Sequence, residues 1–122
     1  MNKPLDILYE DNHIIIVNKK TGDIVQGDKT GDKPLSEEIS DYLSDKYQKP
    51  GKAFVGVVHR LDRPVSGVVL FAKTSKGLNR MNEIVKERRI QKRYWAIVLS
   101  APAKKEDRLV NYLYKNEKQN KS

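Results

Sequence analysis

Nine residues, His59-Arg60-Leu61-Asp62-Arg63-Pro64-Val65-Ser66-Gly67, connect the two most apolar neighbouring stretches of this chain, Phe54–Val58 and Gly67–Ala72. Both stretches are of strand length and almost continuously apolar, the pattern of strands covered on both faces. Five polar or ionisable side chains are thus concentrated in one loop between buried strands. Desolvating them costs several kcal/mol unless each finds a partner. Asp62 lies between Arg60 and Arg63, and an ion pair with either would hold its carboxylate ionised and lower its pKa. An ionised carboxylate at a rigid strand end, in a basic cleft, suits attack on a polyanionic substrate. An Asp–Arg pair that only pins the loop is the other reading, and the residues alone leave both open.

The rest of the chain supplies a frame for that loop. Leu5–Tyr9 and His13–Asn18 are short apolar runs split by Glu10-Asp11-Asn12, which predicts a hairpin. Lys19–Lys33, with Gly22, Gly27 and Gly31, reads as an irregular loop. Pro34 stands where a helix can start, Leu35, Ile39, Tyr42, Leu43 and Tyr47 form one helical face, and Pro50-Gly51 stops it. A second helix is expected after Ser75 as N-cap, with Leu78, Met81, Ile84 and Val85 facing inward. The β-branched and aromatic run Ile90–Leu99 predicts a strand with Trp95 in the core, and Arg108–Tyr114 another. Lys115–Ser122 has no hydrophobic residue and reads as a polar, frayed tail. The element order predicts an α+β fold: a mixed, largely antiparallel sheet with flanking helices, over residues 1–114.

Composition narrows the function classes. The chain has 122 residues and no cysteine, which excludes a disulfide scaffold, a thiolate nucleophile and a cysteine-ligated zinc site. No apolar run approaches the roughly 20 residues of a membrane-spanning helix, and the start lacks a signal-peptide layout, so the expected location is cytoplasmic. The net charge of +8 is unevenly placed: residues 1–61 sum to −1 and residues 62–122 to +9. A one-sided basic field reads as the footprint of nucleic acid or an anionic surface, against a lysine-rich solubilising surface as the plainer reading.

The segment His59–Gly77, HRLDRPVSGVVLFAKTSKG, resembles the signature of the RluA-type RNA pseudouridine synthases, close to HRLDxxTSGhhhhAK with h apolar. Residues 5–25 are similar to that family's opening hairpin, which ends in an Asn-Lys-Pro-x-Gly turn. Gln91–Val98 is similar to its K-x-Y-x-A-x-V strand. The resemblance implies isomerisation of uridine in rRNA or tRNA to pseudouridine, with RNA as partner and no metal or organic cofactor. It implies that Asp62 is the catalytic carboxylate, attacking the ribose or helping to remove a ribose proton. It further implies that Arg60 displaces the flipped base and that Tyr94 packs against it, a candidate for the last proton abstraction. Arg63, Arg88, Arg89, Lys92 and Arg93 are expected to contact RNA phosphates, and His59 to be a structural hydrogen-bonding residue.

Two departures are small: Lys20 stands for the usual proline, and Val65 for the usual threonine. A larger one is the lack of any segment of TGRTHQIR type, whose arginine is thought to pair with the catalytic aspartate. The chain is therefore expected to hold the first part of a catalytic domain, with weak or no activity alone. The alternative is a non-catalytic basic RNA-binding module that retains the front half of the fold.

Overall fold

The computed structural model describes residues 4–114 and divides the chain into two units, residues up to Gln91 and residues from Lys92 onward. The first unit contains every regular element among the described residues: β1 (Ile7–Glu10), β2 (Ile14–Lys19), α1 (Leu35–Lys46), β3 (Gly56–Val57), β4 (Gly67–Ala72) and α2 (Ser75–Lys86). The strands form one sheet in the order β1-β2-β4-β3, every neighbouring pair antiparallel. This is the α+β architecture expected, with the antiparallel part of the predicted sheet present and no parallel pair among the described residues.

Alternation along β2 sets the core. Ile15, Val17 and Lys19 are buried while Ile14, Ile16 and Asn18 are partly covered, the period-two pattern of a sheet with one closed face. Across the ladder Ile15 pairs with Phe71, Val17 with Val69 and Lys19 with Gly67. Leu35, Ile39 and Leu43 of α1 complete this core. At the start of α1, Pro34 offers no side-chain cap, and the first amides of the helix, Leu35 and Ser36, donate instead to the carbonyls of Ile24 and Val25. The helix ends at Lys46, short of Pro50-Gly51, because Gln48 takes a left-handed conformation (φ 54°) and Lys49 N–H closes back on Ser44.

Helix α2 is capped by Thr74 rather than Ser75: the Thr74 hydroxyl accepts from Gly77 N–H at 3.0 Å. Its inward residues Leu78, Met81, Ile84 and Val85 are half-buried. Leu78 crosses directly over Gly56, where an added Cβ would lie 3.0 Å from its methyls. The predicted strand Phe54–Val58 shortens to Gly56–Val57, with Phe54 exposed. Among the described residues no helix is long and apolar enough to cross a membrane.

The second unit differs from expectation. Over residues 92–114 there is neither strand nor helix, and Trp95, Ile97 and Leu99 are fully exposed. The strands expected at Ile90–Leu99 and Arg108–Tyr114 are therefore not formed, and Trp95 is not a core residue. The reason is general: β propensity is a fit to a pleated, half-covered surface, and a strand without a ladder satisfies neither its backbone nor its side chains. The tail expected at Lys115–Ser122 lies outside the described residues.

Candidate active site

Between β3 and β4 the chain makes one tight reversal, with Val65 N–H donating to Asp62 O at 2.9 Å. Leu61 packs against the core, and that single anchor leaves Arg60 and Asp62 on either side of it exposed to solvent. Gly67 closes the loop at φ 140°, in a region that favours glycine, and a Cβ there would meet Leu61 at 3.7 Å. His59 Nε2 accepts from Leu70 N–H at 3.1 Å, so the histidine ties the incoming limb of the loop to β4. This is the structural role expected of it.

Lys19 holds the loop from beneath. It is fully buried, and its ammonium donates to Lys20 O (3.2 Å), Arg63 O (2.9 Å) and Val65 O (2.5 Å). Three carbonyls match the three protons of the ammonium. Burial pushes its pKa down, opposed by the negative charges of Asp23 and Asp62 and reinforced by the positive charge of Arg63. A buried cation thus sits within electrostatic reach of Asp62. The signal for Lys19 was present in the sequence: Ile15, Val17 and Lys19 continue one alternation, which puts a lysine on the closed face of a strand. A buried lysine needs acceptors, and the loop carbonyls provide them.

Arg63 corrects the local charge picture. Its guanidinium turns to the loop between β2 and α1, donating to Asp32 Oδ2 (3.0 Å), Asp28 Oδ2 (3.3 Å) and Thr30 Oγ1 (3.1 Å), with a longer contact to Gly22 O (3.4 Å). Its hydrogen bonds to the Asp32 and Asp28 carboxylates raise its pKa. Among the described residues no ion pair engages the Asp62 carboxylate, so the Asp62–Arg pairing considered from sequence does not form. Asp28 and Asp32 are separated from Arg63 by 35 and 31 positions, which is why adjacency in sequence pointed to the wrong carboxylate.

Arg88 and Arg89 follow α2. Arg88 is left-handed (φ 56°), and Arg89 Nε pairs with Glu87 at 2.7 Å. Lys92, Arg93 and Tyr94 are exposed members of the second unit. Among the described residues no group of three or more His, Cys, Asp or Glu side chains is arranged to hold a metal ion.

The geometry is therefore an exposed carboxylate and an exposed arginine, two positions apart, on a turn fixed by a buried ammonium, a histidine and a glycine. Comparison with known proteins gives it a context. The sequence pattern of the RNA pseudouridylate synthase family matches residues 13–122. An RNA pseudouridine synthase of Synechocystis is 36% identical over 102 residues, 83% of this chain and 31% of the relative. The ribosomal large subunit pseudouridine synthase C of Escherichia coli is 40% identical over 92 residues, 75% of this chain and 27% of the relative. The chain thus spans about three tenths of the length of these relatives. In fold it resembles human RNA pseudouridylate synthase domain containing 4, with a TM-score of 0.54 at 22% identity over 69% of this chain and 30% of that one. With nine tenths of its length inside the family pattern and the signature loop built as described, the chain belongs to the RNA pseudouridylate synthase family.

Proposed function

We propose that this chain supplies the aspartate-bearing part of an enzyme that isomerises uridine in RNA to pseudouridine, with rRNA or tRNA as substrate. The observation that carries the reading is Asp62: a carboxylate left in solvent on a turn held rigid from beneath by Lys19. A nucleophile or base has to be fixed in position and yet open to its substrate. In the proposed reaction the N-glycosidic bond breaks, with the Asp62 carboxylate attacking the ribose or assisting removal of a ribose proton. The detached base turns and re-bonds through C5 to the same ribose carbon as that carbon's bond to Asp62 breaks or the ribose proton is returned. The C5 proton then leaves, Tyr94 being the candidate acceptor, and N1 takes up a proton. Arg60 enters the space vacated by the flipped uridine, because extrusion from a stack needs a group to replace the base. Tyr94 packs against the base, and Arg88, Arg89, Lys92 and Arg93 contact phosphates. The chemistry asks for no metal or organic cofactor.

The second reading, a non-catalytic RNA-binding module, is favoured for the 122-residue chain by itself. It spans 27–31% of the length of its relatives, and within the sequence nothing of TGRTHQIR type supplies an arginine to Asp62. The experiment is a comparison of this chain alone with the chain joined to the C-terminal portion of the Escherichia coli relative, each incubated with uridine-containing RNA and assayed for pseudouridine. The joined protein is expected to convert uridine, and the short chain to bind RNA with little or no conversion. Robust conversion by the short chain would remove the second reading; conversion by neither would count against the first.

A further inference from the structure

We infer that Asp28, Thr30 and Asp32 mask a phosphate-binding site at Arg63, and that an RNA phosphate displaces them when the loop engages its substrate. The inference rests on the proposed RNA reading and concerns the control of that same site. Arg63 directly follows Asp62 in the turn, so a phosphate it holds belongs to the RNA that this turn engages. Its two terminal nitrogens are each engaged by an oxygen of a different carboxylate, NH1 by Asp32 and NH2 by Asp28, with the Thr30 hydroxyl beside the second. A single phosphate presents several oxygens to the same fork, and bidentate pairing of that kind is the stronger arrangement.

The hold on Arg63 is weak enough to exchange. The ion pairs are solvent-accessible, with Arg63, Asp28 and Asp32 side chains 38%, 39% and 59% exposed. Such pairs are each worth less than about fivefold in an equilibrium constant. The masking loop Gln26–Lys33 is exposed throughout and buries no apolar side chain, and the exposed Lys33–Asp41 ion pair ties its last residue to α1. Its shape comes from local bonds, Thr30 N–H to Asp28 Oδ1 and Asp32 N–H to the Thr30 hydroxyl. By contrast the backbone of Arg63 is held independently, its carbonyl receiving Lys19 Nζ and Gly22 N–H. Release of the guanidinium therefore leaves the turn, and Asp62 with it, in place. The three oxygens stand where phosphate oxygens would stand, in front of an arginine whose backbone does not depend on them.

The test is RNA affinity of the 122-residue chain, measured with a single-stranded uridine-containing oligonucleotide across a salt series. In Asp28→Asn/Asp32→Asn the affinity is expected to rise about three- to tenfold at low salt, with the salt slope steeper by about 0.7 for one added phosphate contact. Glu37→Gln/Asp45→Asn removes the same charge from the exposed side of α1 without touching a partner of the masking loop and should raise affinity much less. In an Arg63→Gln background the Asp28/Asp32 substitutions should do no more than that control pair. Equal effects of the two acidic pairs, or weaker binding in Asp28→Asn/Asp32→Asn, would overturn the inference. If the parent chain and every variant fail to bind RNA at any salt, the RNA reading falls and the inference with it.

Discussion

At the scale of single residues, two buried charges do most to determine how this chain behaves. Lys19 holds three carbonyls, two of them in the turn that carries Asp62. Lys19→Met keeps the aliphatic stem but leaves those acceptors without a donor, at a cost of about 2–4 kcal/mol. A denaturant midpoint lowered accordingly, with faster amide exchange at Val65, is the expected outcome; an unchanged midpoint would show that the carbonyls find other donors. Glu10 is the second. Its carboxylate, 10% exposed, receives Lys73 (2.6 Å), Tyr42 (2.9 Å), Tyr47 (3.0 Å) and Lys46 (3.1 Å). Burial pushes its pKa up, but these hydrogen bonds prevail and lower it to about 2 from an ordinary 4.5. Above pH 4.5 the stabilisation is present in full. As pH falls toward 2 the unfolded chain protonates first, and the stabilisation is lost. Urea unfolding should therefore show stability falling by about 1–3 kcal/mol over that interval, and Glu10→Gln should flatten that part of the profile. Neither lysine contact is readable from sequence spacing, since Glu10 and Lys73 lie 63 positions apart.

At the scale of elements, both helices end in the same way and begin differently. Helix α1 relies on carbonyls of the preceding loop, whereas α2 has its own threonine cap. The sequence pointed to Ser75 because serine is an ordinary N-cap, but Thr74 also bridges to His13 Nδ1 at 2.9 Å, and that tertiary contact fixes the start one residue earlier. Gly77 then passes against β2's approach: an added Cβ would lie 2.7 Å from His13 O. Gly77→Ala should cost about 1–3 kcal/mol as backbone moves apart, seen as a lower thermal midpoint. At the far end, Gln48 and Arg88 each occupy a left-handed C-terminal position where glycine is the usual residue. Replacing either by glycine should stabilise the fold by up to about 1 kcal/mol. The two should differ in RNA affinity, with Arg88→Gly binding more weakly and Gln48→Gly unchanged. Equal RNA affinity in both would remove Arg88 from the proposed contacts. The hairpin and β4 were legible from apolar runs of strand length, and both helices from their periodicity. The β-branched and aromatic run Ile90–Leu99, and Arg108–Tyr114 after it, were read as strands too, yet form no ladder over residues 92–114, because pairing is a property of two segments and composition of one.

At the scale of the whole molecule, the basic half of the sequence starts at the signature loop. The excess of +9 lies over residues 62–122, and the turn at the start of that stretch is fixed from within by the buried Lys19 ammonium. That ionisable residues gather in one loop between apolar strands was legible in the sequence, but the exposure of Arg60 and Asp62 was not, since adjacency suggested an Asp62–arginine pair instead. The burial of Lys19 was legible from the alternation of β2, but not which carbonyls it reaches, because Arg63 and Val65 lie 44 and 46 positions away. The central claim is that Asp62 does chemistry rather than holding structure. The most direct measurement is single-turnover conversion of uridine to pseudouridine by the chain joined to the C-terminal portion of its Escherichia coli relative, with Asp62→Asn compared with the parent at saturating protein. With Asp62 as nucleophile or base, the variant's rate falls by at least about a thousandfold at unchanged RNA affinity and unchanged thermal midpoint. A variant that converts uridine within about tenfold of the parent would contradict it.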